Sequence, residues 1–169
     1  MNRMWAPWRK AYLQPKKAGS KGCLFCRLLA ARLNKPQYIL KRTLHSYAVL
    51  NLYPYNNGHV MIVPKRHVDS IQSLNENERL DWLALYCEVE NALQRKLRPH
   101  GFNAGINMGR AGGAGVPHHL HLHLVPRWKG DVNFMPVVGT TKVISESLKS
   151  VYDALSEELR RKNKQKKSR

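Results

Sequence analysis

The chain has only three cysteines in 169 residues, no apolar run near the roughly 18 residues of a membrane span, and no acidic residue before Asp69. So few cysteines, in an odd number, exclude a disulfide framework and favour a reduced protein. The first residues, MNRMWAPWRKAYLQPKK, lack the apolar core and small-residue cleavage site of a signal peptide. We therefore expect a cytoplasmic protein with no membrane-spanning segment.

Positive charge dominates the composition. The formal net charge is +18, and seven of the ten residues in the tail 160–169, RRKNKQKKSR, are basic. This balance favours anionic partners, either nucleotides with several phosphates or nucleic acid. The tail has no aromatic side chain on which a base could stack, so we expect a disordered segment that binds nucleic acid weakly or is merely solvated. The remainder, 1–159, has the length of one domain, and its residues 1–22 form an irregular arm.

Apolar periodicity predicts two main helices and several strands. One helix starts at a capping box formed by Ser73 and Glu76 and ends at Leu97, and a last helix spans 145–160. A short helix is expected from GCLFCRLLAARLN, which begins at Gly22. The predicted strands are 47–52, 59–63, 101–109 and 118–128. Their order, with hairpin-type links, favours an α+β fold with an antiparallel sheet, a long helix and a C-terminal helix.

Three histidines alternate with leucine in PHHLHLHLVPRW, residues 117–128. Successive side chains of a β-strand point to opposite faces. The imidazoles of His119, His121 and His123 are therefore expected on one face, with the leucines on the other. The leucine face is typical of a core, and the histidine face is typical of a site.

The histidine face has three interpretations. A hydrolytic metal centre usually includes an acid, yet the segment has no carboxylate until Asp131. A neutral imidazole is a competent nucleophile toward phosphorus, which favours His121 as nucleophile and His123 as the group that holds a phosphate oxygen. The preceding GRAGGAG loop, with Gly113 and Gly115, would let backbone N–H groups approach the anion. Incidental histidines on an exposed strand are the third interpretation.

The segment HLHLHLV, residues 119–125, resembles the His-φ-His-φ-His-φ-φ signature of the histidine triad (HIT) superfamily of nucleotidyl hydrolases and transferases. Three further segments are similar to the family's diadenosine tetraphosphate phosphorylase-like branch: NLYPYNNGHVMIVPKRHV (51–68), VPRWKGDVNFMPV (125–137) and WAPWRKAYL (5–13). The resemblance covers nearly the whole chain except the last ten residues. It implies a HIT-like fold and a homodimer.

The resemblance also implies roles for particular residues. His121 would form a covalent nucleotidyl-histidine intermediate, and His123 and His59 would orient it and bind phosphate. Asn51 would hydrogen-bond the ribose, and Asn107 would lie near the leaving phosphates. The loop sequence GAGVP departs from the Gln or Ser that many hydrolase members carry there, so water and phosphate both remain possible as second acceptor.

The pair Cys23 and Cys26 has the C-x2-C spacing that supplies two of the four ligands of a tetrahedral zinc ion. Two ordinary reduced cysteines are the alternative. Several HIT proteins with this pair complete a structural zinc site with the histidine of a PKRH segment and the first triad histidine. The resemblance thus implies His67 and His119 as the other ligands. His119 would then be a metal ligand and not a phosphate contact, and the metal would stiffen the strand that carries His121.

The combined expectation is an enzyme that cleaves a nucleotide phosphoanhydride, with diadenosine polyphosphate as substrate and no organic cofactor. Two alternatives remain open on the sequence. One is removal of AMP from 5′-adenylated nucleic acid, which the charge of +18 favours. The other is a nucleotide- or RNA-binding module without catalysis.

Overall fold

A five-stranded antiparallel sheet carries the histidine segment. The computed structural model describes residues 22–30, 38–131 and 144–167. The strands follow the order β1-β2-β3-β5-β4 across the sheet. They are β1 (Ile39–Arg42), β2 (Ser46–Leu50), β3 (Val60–Pro64), β4 (Gly101–Ile106) and β5 (Leu122–Arg127). The predicted antiparallel α+β fold is confirmed, although β1 was not predicted. The predicted arm lies outside the described residues except for Gly22.

The described part of the chain also forms three helices: α1 (Leu24–Ala30), α2 (Glu76–Leu97) and α3 (Leu148–Lys167). Helices α2 and α3 contribute to the main core cluster, which also takes side chains from β2, β3 and β5. Helix α1 packs against the other face through Phe25. Within the described residues, no helix is both long and apolar enough to cross a bilayer.

The central strands alternate between two cores, as period-two geometry requires. In β2, Ala48 belongs to the main cluster and Tyr47 to the second, smaller cluster beside α1. The leucines of the histidine segment follow the same rule, because Leu120 and Leu124 are buried in the main cluster. The histidines therefore lie on the opposite face of the sheet, as the sequence predicted.

The N-terminal cap of α2 is not where the sequence placed it. Asn75 is the cap residue, its side chain accepts a hydrogen bond from the Glu78 N–H, and the Glu78 carboxylate accepts one from the Asn75 N–H. The prediction of Ser73 and Glu76 was wrong by two residues. Two overlapping patterns, S-x-x-E and N-x-x-E, occur there, and Arg66 selects the second by pairing with Glu78. The helix ends as predicted, with Arg98 in the left-handed conformation before a proline.

Helix α3 begins at Leu148 and extends to Lys167, beyond the predicted end at 160. Most of the segment predicted to be a disordered tail is therefore helical. Its residues 160–167 contain arginine, lysine and glutamine with no glycine or proline, and these are strong helix formers that extend an existing helix. The buried stripe ends earlier, at Leu159.

The turn between β2 and β3 depends on Gly58, which has φ of +72°. A side chain at this position would be strained by the backbone conformation, and its Cβ, 2.5 Å from Leu97 Cδ1, would also force the Leu97 side chain to move. The turn closes with a hydrogen bond from the Asn51 N–H to the His59 carbonyl at 2.9 Å. This geometry places His59 at the start of β3, beside β5.

Candidate active site and metal cluster

His121 lies just before β5, with only 4% of its surface exposed. Its Nδ1 lies 2.8 Å from the backbone carbonyl oxygen of His119. Because a carbonyl only accepts, Nδ1 carries the proton and Nε2 keeps its lone pair. Burial lowers the pKa of His121 from its ordinary value. The side chain is therefore a neutral imidazole whose Nε2 is available as a nucleophile.

His123 and His59 form a direct imidazole pair. Nε2 of His59 lies 2.8 Å from Nδ1 of His123, across the pairing of β3 with β5. Burial, with a smaller contribution from neighbouring His121, lowers the pKa of His123 to about 4. His123 is therefore neutral near pH 7, and the pair shares one hydrogen bond between uncharged rings.

Two donors fix which nitrogens of this pair carry protons. The backbone N–H of Tyr55 donates to His59 Nδ1 at 3.0 Å, and Nδ2 of Asn51 lies 3.3 Å from the same nitrogen. His59 Nδ1 must therefore be an acceptor, which puts the proton of the neutral ring on Nε2. His59 then donates to His123 Nδ1, and the proton of His123 lies on its own Nε2.

Nε2 of His123 is buried and has no hydrogen-bond partner among the described residues. A buried N–H without a partner costs on the order of 1–3 kcal/mol, so this group would gain from a ligand or water that accepts its hydrogen bond. The ring centroid of His123 lies 4.9 Å from that of His121. A nucleophilic nitrogen and an unpartnered donor thus lie on neighbouring rings, which suits a phosphate group.

A separate group of side chains, which we call the metal cluster, consists of Cys23, Cys26, His67 and His119. Their ligand atoms all lie within 4.8 Å of one another. Cys23 Sγ is 3.2 Å from His119 Nδ1, and Cys26 Sγ is 3.4 Å from His67 Nδ1. Ligand atoms of a tetrahedral zinc ion are separated by about 3.3–3.8 Å, given bonds of about 2.0 Å to nitrogen and 2.3 Å to sulfur. The residues present therefore fit zinc. Four protein ligands leave no open position, so such a site would be structural.

His119 is oriented for this cluster by a second hydrogen bond. Its Nε2 lies 2.9 Å from the carbonyl oxygen of Pro64, so Nε2 is protonated and Nδ1 presents a lone pair to the cysteines. A backbone carbonyl that holds the outer nitrogen of a histidine is the usual second contact of a metal ligand. The His119 imidazole therefore faces the metal cluster, and its contact with His121 is through its backbone carbonyl.

Phe25 contacts both the metal cluster and the histidines of the candidate active site. It lies between the two cysteines in sequence and is 1% exposed. Its ring centroid is 5.4 Å from that of His119 and 4.9 Å from that of His121. This contact could not be predicted from sequence, because the residues are about a hundred positions apart.

The remaining predicted site residues are less directly placed. Asn51 supports the turn, since its Oδ1 accepts from the Tyr53 N–H at 3.0 Å. Asn107 follows β4, and Gly113 and Gly115 lie in the loop before the histidines. The Gly113 N–H already donates to the Arg110 carbonyl at 3.0 Å, so this amide is engaged within the loop. Their roles toward a ligand stay predictions.

Arg127 has a structural role, because its side chain forms an ion pair with Asp131. Its guanidinium pairs with both carboxylate oxygens of Asp131 at 2.7 and 2.8 Å. The same Asp131 accepts from Asn56 Nδ2 at 2.7 Å, which ties the turn before His59 to the end of β5. Asn56 supports the site through Asp131, as Tyr55 does through its N–H to His59, and neither residue was predicted from sequence.

The fold and the site together define an antiparallel α+β protein with a group of buried histidines on one face of its sheet. A family model for the HIT domain matches residues 32–130. An AP-4-A phosphorylase of Mycobacterium tuberculosis is 36% identical over 165 residues, covering 94% of this chain and 84% of that protein. This chain belongs to the HIT family.

Solved structures share the fold. A zinc-bound histidine triad family protein from Mycobacterium smegmatis aligns with a TM-score of 0.67 at 22% identity, covering 86% of this chain and 99% of that one. A HIT family protein from Bacillus anthracis aligns with a TM-score of 0.58 at 27% identity, covering 66% of this chain and 77% of that one.

Proposed function

We propose that the protein is a nucleotidyl hydrolase or transferase that cleaves a phosphoanhydride of a dinucleoside polyphosphate, with diadenosine tetraphosphate as the substrate. The observation that carries this proposal is the hydrogen bond from His121 Nδ1 to the His119 carbonyl, which leaves Nε2 unprotonated. Such an imidazole attacks phosphorus directly and needs no separate base.

In the first step, His121 Nε2 attacks the phosphorus of a terminal AMP unit and a P–N bond forms. The bond from that phosphorus to the bridging oxygen breaks, and its electron pair leaves with ATP. The Nδ1 proton stays in place, so the ring becomes cationic while the His119 carbonyl faces it. The buried N–H of His123 donates to a non-bridging oxygen of the transferred phosphate, where negative charge is concentrated.

In the second step, an acceptor oxygen attacks the same phosphorus and the P–N bond breaks, which returns the electron pair to Nε2. Phosphate as acceptor gives ADP, and water gives AMP with release of one proton. The name of the Mycobacterium tuberculosis relative, an AP-4-A phosphorylase, supports phosphate as acceptor. The substrate-binding roles predicted for Asn51, His59, Asn107, Gly113 and Gly115 belong to this proposal.

A structural zinc ion in the cluster of Cys23, Cys26, His67 and His119 is the second part of the proposal. It is supported by the spacing of the four ligand atoms and by the zinc-bound relative from Mycobacterium smegmatis. The ion would supply rigidity to the segment that carries the His119 carbonyl, and no chemical step passes through it. Cysteines that stay reduced are typical of the cytosol, which agrees with the expected cytoplasmic location.

We also propose the expected homodimer. Strand β4 lies at one end of the sheet order, so one of its edges is unpaired by the described strands. Such an edge is commonly paired with another chain or protected. The molar mass in solution, measured by light scattering at several concentrations, tests this point.

The experiment that tests the activity is incubation with diadenosine tetraphosphate, with and without inorganic phosphate, and identification of every product. ADP with ATP, formed only when phosphate is present, identifies a phosphorylase. AMP with ATP, or ADP alone, identifies a hydrolase, but ADP alone would contradict attack on the terminal AMP unit, which always releases ATP. Absence of turnover under both conditions, with nucleotide still bound, would leave the binding module as the better function.

The charge of +18 and the basic end of α3 favour one alternative, the removal of AMP from 5′-adenylated nucleic acid. The same His121 chemistry would serve, because that substrate also contains an AMP phosphoanhydride. A direct comparison of kcat/KM for adenylated DNA and for diadenosine tetraphosphate distinguishes the two. A large preference for the adenylated strand would replace the dinucleotide as substrate.

A further inference from the structure

Tyr55 contacts the histidine pair in two ways. Its backbone N–H donates to His59 Nδ1 at 3.0 Å. Its ring lies over both imidazoles, with centroid distances of 4.6 Å to His59 and 5.6 Å to His123. One residue thus holds a nitrogen of the pair with its backbone and covers both rings with its side chain.

The ring of Tyr55 stands between the pair and solvent. Its plane is within 24° of the plane of the His123 ring, and the side chain is 37% exposed, whereas His59 and His123 are 1% and 9% exposed. The outer surface of the Tyr55 ring is therefore in contact with solvent, whereas the histidines beneath it are buried. Removing the ring would admit water to both imidazoles.

Water would disturb the proton arrangement on which the site depends. The proton positions of both rings follow from a chain of hydrogen bonds, from the Tyr55 N–H and Asn51 Nδ2 to His59 and from His59 to His123. Water both donates and accepts, so it would compete at each nitrogen and allow the other tautomer. His123 would then present a lone pair to phosphate in part of the molecules.

We propose that Tyr55 is a positioning residue for the HIT reaction, whose ring shields the His59–His123 pair and keeps the His123 proton on Nε2, aimed at the substrate phosphate. The inference rests on the proposed function for its kinetic consequence. The tautomer itself is a property of the free protein. Among the described residues, the rings that face His123 belong to Tyr55 on the turn between β2 and β3, to His59 just before β3 and to His121 just before β5.

The variants that test this are Tyr55→Ala and Tyr55→Phe. Both keep the backbone N–H, so only the ring and the hydroxyl are changed. Tyr152→Ala is the matched control, because Tyr152 is also half-buried and packs edge-on against another tyrosine, Tyr38, at 5.7 Å. It contacts the main cluster through α3, on the other side of the sheet.

The first measurement is the nitrogen-15 chemical shift of the histidine rings in the free protein. We expect wild type, Tyr55→Phe and Tyr152→Ala to show His123 protonated at Nε2 and bare at Nδ1. Tyr55→Ala should show averaged nitrogen shifts and a His123 that titrates closer to neutral pH. An unchanged His123 signature in Tyr55→Ala overturns the proposal, whatever the activity of the protein.

The second measurement is steady-state kinetics with diadenosine tetraphosphate. Complete loss of one donor to a developing oxyanion costs about 100- to 1,000-fold in kcat. Because the His123 donor would be lost in only part of the molecules, we expect Tyr55→Ala to lower kcat by about 10- to 100-fold with KM within about twofold. Tyr55→Phe should restore the wild-type kcat. A loss confined to KM would make Tyr55 a substrate contact, and an equal loss of kcat in Tyr152→Ala would make the effect general destabilisation; either result overturns the proposal. A wild-type protein without turnover contradicts the proposed function alone, because the nitrogen shifts still test Tyr55.

Discussion

His119 and His121 are linked by the carbonyl of the first and the Nδ1 of the second, 2.8 Å apart. The imidazole of the same His119 points away, with its Nδ1 3.2 Å from Cys23 Sγ. His119 therefore belongs to the metal cluster through its side chain, and its backbone carbonyl sets the tautomer of His121, the proposed nucleophile. This relationship explains why a metal site that takes no part in the chemistry would lie beside the triad.

Replacing the nucleophile should abolish turnover and spare binding. In His121→Ala we expect kcat to fall by about 1,000-fold or more, since a missing nucleophile affects the chemical step more than the bound ground state. Product formation and nucleotide binding, followed by chromatography and calorimetry, measure the two effects. His118→Ala, an exposed histidine of the same segment, is the control and should retain wild-type activity. Activity in His121→Ala near that of the control contradicts the mechanism.

The metal cluster should contain about one zinc ion per chain. Cys23→Ser should lose the ion and lower the melting temperature, because a structural zinc contributes directly to folding free energy. Cys87→Ser is the matched control, since that thiol is exposed on α2 and lies outside the cluster. Metal analysis and thermal unfolding measure both variants. A metal-free wild type that melts at the same temperature as Cys23→Ser would return the pair to ordinary reduced cysteines.

The start of α2 offers a test of its cap. Asn75→Ala should destabilise the protein by about 1 kcal/mol, the usual cost of removing a capping side chain. Ser73→Ala, at the cap position expected from sequence, should stay within about 0.5 kcal/mol of wild type, as exposed substitutions generally do. Urea unfolding at fixed pH measures both. Equal losses in the two variants would contradict the assigned cap.

Acid stability should depend on Glu78. The Arg66 guanidinium and the Asn75 N–H hold the pKa of Glu78 at about 2, below its ordinary value of 4.5. A carboxyl with a lower pKa in the folded state stabilises the protein above pH 4.5, and that contribution disappears as the pH falls toward about 2. Glu78→Gln should therefore flatten the loss of stability between these pH values. Unfolding curves of wild type and variant that stay parallel across this range would contradict the assigned pKa.

The basic end of α3 should matter for nucleic acid and not for dinucleotides. Deleting 160–169 keeps Leu159, the last buried residue of the helix stripe, so the domain should stay folded. Charges beyond about 8 Å are screened at physiological salt, so turnover of diadenosine tetraphosphate should be unchanged. Weak duplex binding should be lost, with the log–log salt slope falling by about 0.9 for each phosphate contact removed.

A second variant separates charge from length in this segment. Replacing the arginines and lysines of 160–169 by glutamine keeps a helix-forming chain of the same length and removes its charge. It should behave like the deletion in both assays. Loss of dinucleotide turnover in either variant would place this end of α3 in the active site.

Local patterns predicted the parts of the fold that depend on local geometry. Alternation of His119, His121 and His123 with leucine correctly separated the buried leucines from the histidines, because a period of two is a property of a β-strand. The same reasoning placed all three histidines within a strand, whereas β5 begins only at Leu122. His119 lies at a bend just before the strand, yet Leu120 is still buried in the main core.

Contacts between distant segments were beyond the sequence. The packing of Phe25 on His121 joins α1 to the approach to β5, and the ring of Tyr55 reaches β5 from the turn before β3. Neither aromatic residue has a neighbouring pattern that indicates its partner. The cap at Asn75 was missed for the same reason, since Arg66 decides between two equivalent local patterns.

The most direct test of the account is the identification of the covalent intermediate. Protein mixed with diadenosine tetraphosphate in the absence of phosphate should be quenched within one turnover at alkaline pH, where a phosphorus–nitrogen bond to histidine survives, and then digested and analysed by mass spectrometry. We predict an adenylate on the peptide that contains His121, localised to that residue, and its disappearance with formation of ADP when phosphate is added before the quench. Turnover without any adduct on His121, or an adduct on another residue, would contradict the central claim.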